Sequence, residues 1–271
     1  MPVTPGTPAA RRASADRETR TLPALAAGPV EMPHAILSWS EVFARDTVWN
    51  EHSHPFHELL WNERGASTAV VGPRVWTITP ALGLWMPAGT LHSGSAAAGT
   101  WCRAGFFGFD AMASMSPTPV GVEITPLLRL LLERLADTGL PAGSRAVTEA
   151  MVLDVLAPSS RELLVQMPVS DLLRPIADAV RSDPGDQRTL AHWASRLGVS
   201  ARTITRAFNE ETGTSFARWV AAVRAQHAVE LLGRGWEIDV VAEEVGYRSA
   251  SAFGAAFRRT TGLTPGMFRA R

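Results

Sequence analysis

Positions 52 to 58 of this chain hold His52, His54, His57 and Glu58, within the stretch EHSHPFHELLW. Imidazole nitrogens and carboxylates are ligands for divalent metals. The chain has only seven histidines, so this concentration raises the question of metal chemistry. On a strand, side chains two apart share a face, so His52 and His54 project together. His57 alternates out of that register and is expected at the surface. A second group able to do chemistry lies near the other end, where Arg202 and Arg206 stand four residues apart. On a helix that spacing makes them neighbours, and arginines so placed suit base edges or phosphates.

The chain that must position these groups has 271 residues, enough for two domains with separate cores. Its 46% hydrophobic and 19% charged residues are those of an ordinary soluble globular protein. No apolar run of about 18 residues is present, which excludes a spanning helix. The start, MPVTPGTPAARRASADRETR, lacks the apolar segment of a secretory signal. Residues 1–30 are expected to be a disordered tail. Cys102 is the one cysteine, which rules out an intrachain disulfide and fits a reducing cytoplasm. The formal net charge of zero hides a division. Residues 186–271 carry twelve Arg against eight Asp and Glu, for +4, and the remainder fourteen against eighteen, for −4. All 26 basic residues are Arg, which we ascribe to base composition rather than to function.

Short apolar runs separated by Gly and Pro make residues 31–115 a β-rich domain, with a hairpin in TAVVGPRVWTIT at Gly72 and Pro73. From Thr125 the period becomes helical. Thr125 suits an N-cap, Pro126 the first helical position and Gly139 a stop. Two further helices, over 145–156 and 170–181, complete a connector spanning 116–185, with Pro175 unsettling the start of the last. The run SDPGDQ links it to an all-helical domain, 186–271.

That last domain repeats itself. Ser200, Ile204, Phe208, Thr212, Gly213 and Ser215 recur 49 residues on as Ser249, Phe253, Phe257, Thr261, Gly262 and Thr264. Each copy reads as a short helix, a turn containing Gly and a second helix capped by Ser200 or Ser249, which is a helix-turn-helix layout. In ARTITRAF, Ile204, Ala207 and Phe208 fall on one stripe, and Arg202, Thr205 and Arg206 on the other. Arg202, Thr203, Thr205 and Arg206 are therefore expected to read DNA. In the second copy Ala250, Ser251, Gly254 and Ala255 are too small to reach far into a groove. There Ser249 and Ser251 position the helix, and Arg248, Arg258 and Arg259 are offered to phosphates. A helix of about 17 residues between the units would span about 25 Å, so the two could address successive major-groove faces.

GYRSASAFGAAFRRTTGLTPGMFR, with Ala242 just before it, resembles the C-terminal hallmark of AraC/XylS-type transcription regulators. The match is carried by Ala242, Gly246, Tyr247, Ser249, Ser251, Phe253, Phe257, Arg258, Gly262, Thr264, Pro265, Phe268 and Arg269. LGVSARTITRAFNEETGTSF resembles the same family's first unit, and the likeness covers about the last 85 residues. One departure is Glu237, where the family often has a small capping residue.

The HxHx3E pattern of His52, His54 and Glu58, with the PxGxxH pattern of Pro87, Gly89 and His92, resembles the two motifs of the cupin barrel. The resemblance implies an α+β chain with a cupin-like jelly-roll β-barrel, connector helices and an all-α tandem helix-turn-helix domain. It also implies His52, His54, Glu58 and His92 as ligands for a divalent metal, Fe, Mn, Ni or Zn. Asp46 and Ala96 depart from the motifs, where Gly and Asn are usual. AraC-type sensors commonly retain such residues without metal, so an organic-ligand pocket is the alternative. Trp61, Trp76 and Trp85 are assigned to the core, with a ligand-pocket wall as the other option. The expected function is a cytoplasmic, sequence-specific regulator of promoter DNA that senses a small molecule or metal ion. RNA polymerase is a further expected partner, without a membrane, and the Leu-rich 127–135 helix offers an apolar face either to a second copy or to the barrel, which leaves the oligomeric state open. The rival expectation is a metal-dependent cupin oxygenase or isomerase with a DNA-binding tail.

Overall fold

The computed structural model describes residues 17–110 and 113–268. Its N-terminal strands are β1 (Arg17–Arg20), β2 (Ile36–Val42), β3 (Asp46–His52), β4 (His57–Arg64), β5 (Ser67–Val71) and β6 (Arg74–Ile78). They continue with β7 (Leu82–Met86), β8 (His92–Ala96), β9 (Trp101–Phe107) and β10 (Val120–Glu123). Helices α1 (Pro126–Leu135) and α2 (Ala142–Val155) follow, then β11 (Leu164–Gln166) and α3 (Arg174–Ser182). The C-terminal helices are α4 (Leu190–Leu197), α5 (Ala201–Thr212), α6 (Phe216–Gly233), α7 (Ile238–Glu244) and α8 (Ala250–Thr261).

The strands form two facing sheets in a cupin-like jelly roll, ordered β1-β3-β8-β5-β6-β11 and β10-β7-β4-β9-β2. The β5–β6 hairpin turns at Gly72, whose φ of 54° suits glycine, and Pro73. β4 is covered on both faces. Glu58 and Leu60 face the interior between the sheets. Leu59 and Trp61 face outward into a core with Trp85, Phe107 and the leucines of α1. Leu128, Leu131, Leu132 and Leu135 all pack on the sheet in this way, while Leu127 and Leu130 stay exposed.

Three expectations need correction. Residues 17–30 do not form a free tail: β1 pairs in parallel with β3, and Ala24 bridges Ser53. The edge of β3 presents backbone donors and acceptors that this segment satisfies; residues 1–16 lie outside the described residues. The 116–185 stretch is not purely helical, because β10 pairs with β7 and β11 with β6, each filling a sheet edge. The helix expected over 170–181 starts later, at Arg174, with Pro175 in its first turn, where a missing N–H costs nothing.

In the C-terminal part the second helices of the two units, α5 and α8, are built from the same local parts. Thr189 caps α4 by accepting from His192 N–H, and Ser200 caps α5 by accepting from Thr203 N–H. Ser249 caps α8 by accepting from Ala252 N–H. Gly198, Gly213 and Gly262 terminate α4, α5 and α8 at left-handed φ of 67°, 69° and 75°. The first unit's core, with Trp193, Ile204 and Phe208, runs on into Ile176 and Val180 of α3 and Val165 of β11. The second unit's core, with Val241, Phe253 and Phe257, runs through Ala228, Val229 and Leu232 of α6 to Ala66, Leu82 and Leu163 beside the sheets.

Polar contacts fix α6 to the β-domain. Gln226 Nε2 donates to the carbonyls of Val75 and Leu163 at 2.7 and 3.3 Å. Trp219 Nε1 donates to the Gln166 carbonyl at 2.9 Å. Arg234 reaches Asp46 at 3.3 Å. Gly233 passes so close to the β4–β5 turn that a Cβ there would lie 3.1 Å from Ala66 N.

Candidate functional site

Between the two sheets lies a cavity of about 280 Å³, at the small end of the range for ligand pockets. His52, His54, Glu58 and His92 line it, together with apolar side chains that include Leu60, Ile78 and Phe106. His52 sits at the end of β3, opposite His92 at the start of β8. A β-bulge between Trp49 and His52 shifts the alternation, so both side chains reach the cavity. One ring nitrogen from each of His52, His54 and His92 lies within 4.8 Å of the other two. The Nδ1 atoms of His52 and His92 donate to the carbonyls of Asn50 and Thr90 at 2.7 and 2.9 Å. A carbonyl only accepts, so in the neutral form of each ring Nε2 carries the free lone pair, the tautomer a metal ligand needs.

Glu58 is buried, and its Oε2 has no hydrogen-bond partner. It stands 3.9 Å from His54 Nε2 and 3.8 Å from His92 Nε2. Burial pushes the Glu58 carboxyl up to about 8. Burial first, then the neighbouring His92 and His52, brings His54 down to about 4. Burial, with His52 adding, also brings His92 to about 4, against the favourable bond to Thr90. At neutral pH these two imidazoles are neutral, so their contacts with Glu58 are not ion pairs. An orphaned buried oxygen facing bare imidazole nitrogens suits a bound cation.

Of the remaining aromatic assignments, His57 differs from expectation, whereas the three tryptophans assigned to the core lie there. His57 is buried, not at the surface: it stacks near Trp85, and its Nδ1 accepts from Ala88 N–H at 2.9 Å. The face of β4 opposite the cavity is covered by packing, so being out of register with the cavity does not mean facing solvent. Trp61 and Trp85 lie in the outer core and Trp76 in a cluster with Ile78 and Leu84, and none of the three lines the cavity. The tryptophans that do line it are Trp39 and Trp49. Strict alternation places Trp49 on the opposite face from His52, so the bulge hid it from sequence reasoning.

On the C-terminal domain, Arg202, Thr205 and Arg206 share one surface hollow of α5 with Asn209 and Glu210, neither of which the sequence reading singled out. The helical period would have found both, since Asn209 follows Arg202 by seven and Glu210 follows Arg206 by four. Thr203 is tied to the cap, its Oγ1 2.8 Å from Ser200 Oγ. Thr205 Oγ1 donates to the Ala201 carbonyl at 2.9 Å. Arg248, Ser249, Ser251, Arg258 and Arg259 are exposed on and beside α8, with Ser249 engaged as the cap.

A family model described as an AraC-like ligand binding domain matches residues 41–153, and one described as a helix-turn-helix domain matches residues 193–271. The HTH-type transcriptional regulator NimR of Escherichia coli is 28% identical over 225 residues, 81% of this chain and 82% of NimR. The HTH-type transcriptional regulator RipA of Corynebacterium glutamicum is 43% identical over 102 residues, 38% of this chain and 31% of RipA. A solved structure of ToxT from Vibrio cholerae aligns over 86% of this chain and 96% of its own, at 12% identity and a TM-score of 0.36. The two family matches fall on the cavity-bearing sheets and on the paired helical units, and the chain belongs to the AraC-type transcription regulators.

Proposed function

We propose that this chain is a one-component regulator whose β-domain takes a small effector anchored on a divalent cation, and whose two helix-turn-helix units bind promoter DNA. The observation that carries the sensing half is the convergence of three imidazoles on the orphaned oxygen of Glu58. His52, His54, His92 and Glu58 would hold the cation, which would supply a charged anchor for an oxygen or nitrogen donor of the effector. Trp39, Trp49 and Phe106 would take the effector's apolar body. On the DNA side, Arg202 and Arg206 lie on the open face of a capped helix, where the second helix of such a unit meets base edges. The family matches are to regulators, so the cation is assigned to binding rather than to turnover. Substrate consumption by the metal-loaded protein would overturn that.

The test is the metal content of protein purified without a His-tag or chelator, beside His92→Ala. About one equivalent in the parent, lost in the variant, is the expected result. An absence of metal in both after reconstitution would leave the cavity to an organic ligand alone.

A further inference from the structure

The end of α5 carries two adjacent acids that are placed quite differently. Glu211 turns back into the protein and accepts from the N–H groups of Val169 and Ser170 at 2.8 and 3.0 Å. Glu210 lies in the same hollow as Arg202, Thr205, Arg206 and Asn209. Its Oε1 is 3.7 Å from Arg206 Nε, with the two side chains 67% and 73% exposed. A carboxylate on a surface that faces DNA repels phosphates whatever the sequence. The 49-residue repeat sharpens the anomaly, because position 210 corresponds to Arg259 in the second unit, a residue placed to attract phosphates. The same repeat sets Arg206 against Ala255 and Arg202 against Ser251.

We infer that Glu210 is a specificity-determining residue, holding Arg206 along the helix and away from the DNA backbone. This rests on the proposal that α5 enters the major groove. A free Arg206 can gain nearly as much from a phosphate as from a base, which raises affinity for every sequence alike. Tethered to Glu210, it is withheld from phosphates, which the carboxylate itself repels. It is released or shared only where a guanine offers O6 and N7 in bidentate geometry. Glu210 thus lowers binding to random DNA more than to the preferred site, and discrimination is the difference between the two.

The experiment uses the full-length chain and two duplexes of equal length: a site selected by the unaltered protein from a random library, and a random sequence. Glu210→Gln keeps shape and helical tendency while removing the charge. It is expected to tighten random-duplex binding by about threefold to fivefold while changing the selected site by less than about twofold. The log–log salt slope on random DNA should steepen by about 1 as Arg206 gains a phosphate. In Glu210→Gln carrying Arg206→Ala as well, that steepening should vanish. An unchanged affinity ratio and slope, or an equal change on both duplexes, would overturn the inference while leaving α5 in the groove. Arg206→Ala alone that binds both duplexes like the parent would instead show that α5 does not read DNA, and both would fall.

Discussion

Ser200 and Ser249 cap α5 and α8 alike, Ile204 and Phe208 are matched inside by Phe253 and Phe257, and Gly213 and Gly262 end both helices in the left-handed conformation. Outward, the two helices diverge. α5 shows Arg202, Arg206 and Asn209 with an acid at 210, whereas α8 shows Ser251, Ala252 and Ala255 and keeps its cations for Arg258 and Arg259 at its end. Inward residues are constrained by packing, so the repeat preserved them. Outward residues answer only to what docks there, and they have separated into a helix equipped to discriminate and one equipped to hold. Their anchorage differs too: the first unit's core runs to α3 and to Val165 of β11, and the second's runs to Ala66, Leu82 and Leu163.

The comparison breaks most easily at its inner half. Phe208→Ala and Phe257→Ala should each cost about 3–5 kcal/mol, measured by denaturant unfolding. Because the Phe257 core continues to Ala66, Leu82 and Leu163, its loss should also lower the transition of the β-domain; a β-domain melting as in the parent would separate the two. The outer half is tested next. Arg206→Ala should lose about 1–3 kcal/mol of discrimination between the selected and random duplex. Arg259→Ala should weaken both equally and reduce the salt slope by about 1. Equal behaviour of the two variants would erase the proposed division of labour. The smallest effect concerns the caps. Ser200→Ala and Ser249→Ala should each cost about 1 kcal/mol, and a clear inequality between them would show that the matched geometry hides unequal strain.

Much of this was legible in the sequence for identifiable reasons. Caps, left-handed glycines and the Gly72–Pro73 hairpin are local, so residue type alone announces them. The HxHx3E and PxGxxH patterns also led to residues that the fold brings together, because strand alternation and pairing do most of that work. What stayed hidden depends on layers. His57 is buried against Trp85 and Phe109, neighbours distant in sequence, and a single bulge moved Trp49 into the cavity. The ordering of residues 17–30 follows from an open strand edge that composition does not reveal. Asp46, a departure from the cupin motif, accepts from Ala98 N–H and pairs with Arg234, partners distant in sequence.

The junction around α6 bears on how freely this regulator could be recombined. AraC-type architecture invites the construction of chimeras, in which a C-terminal half is grafted to a new sensor. Here such a graft would strand Gln226 without its two carbonyl acceptors and Trp219 without the Gln166 carbonyl. It would also leave Gly233, a poor helix former, with no turn to nestle against. A working graft would have to bring along the β4–β5 turn, β6 and the strand at Leu164–Gln166, so the natural cut for swapping sensors falls inside the β-domain and not at the SDPGDQ linker.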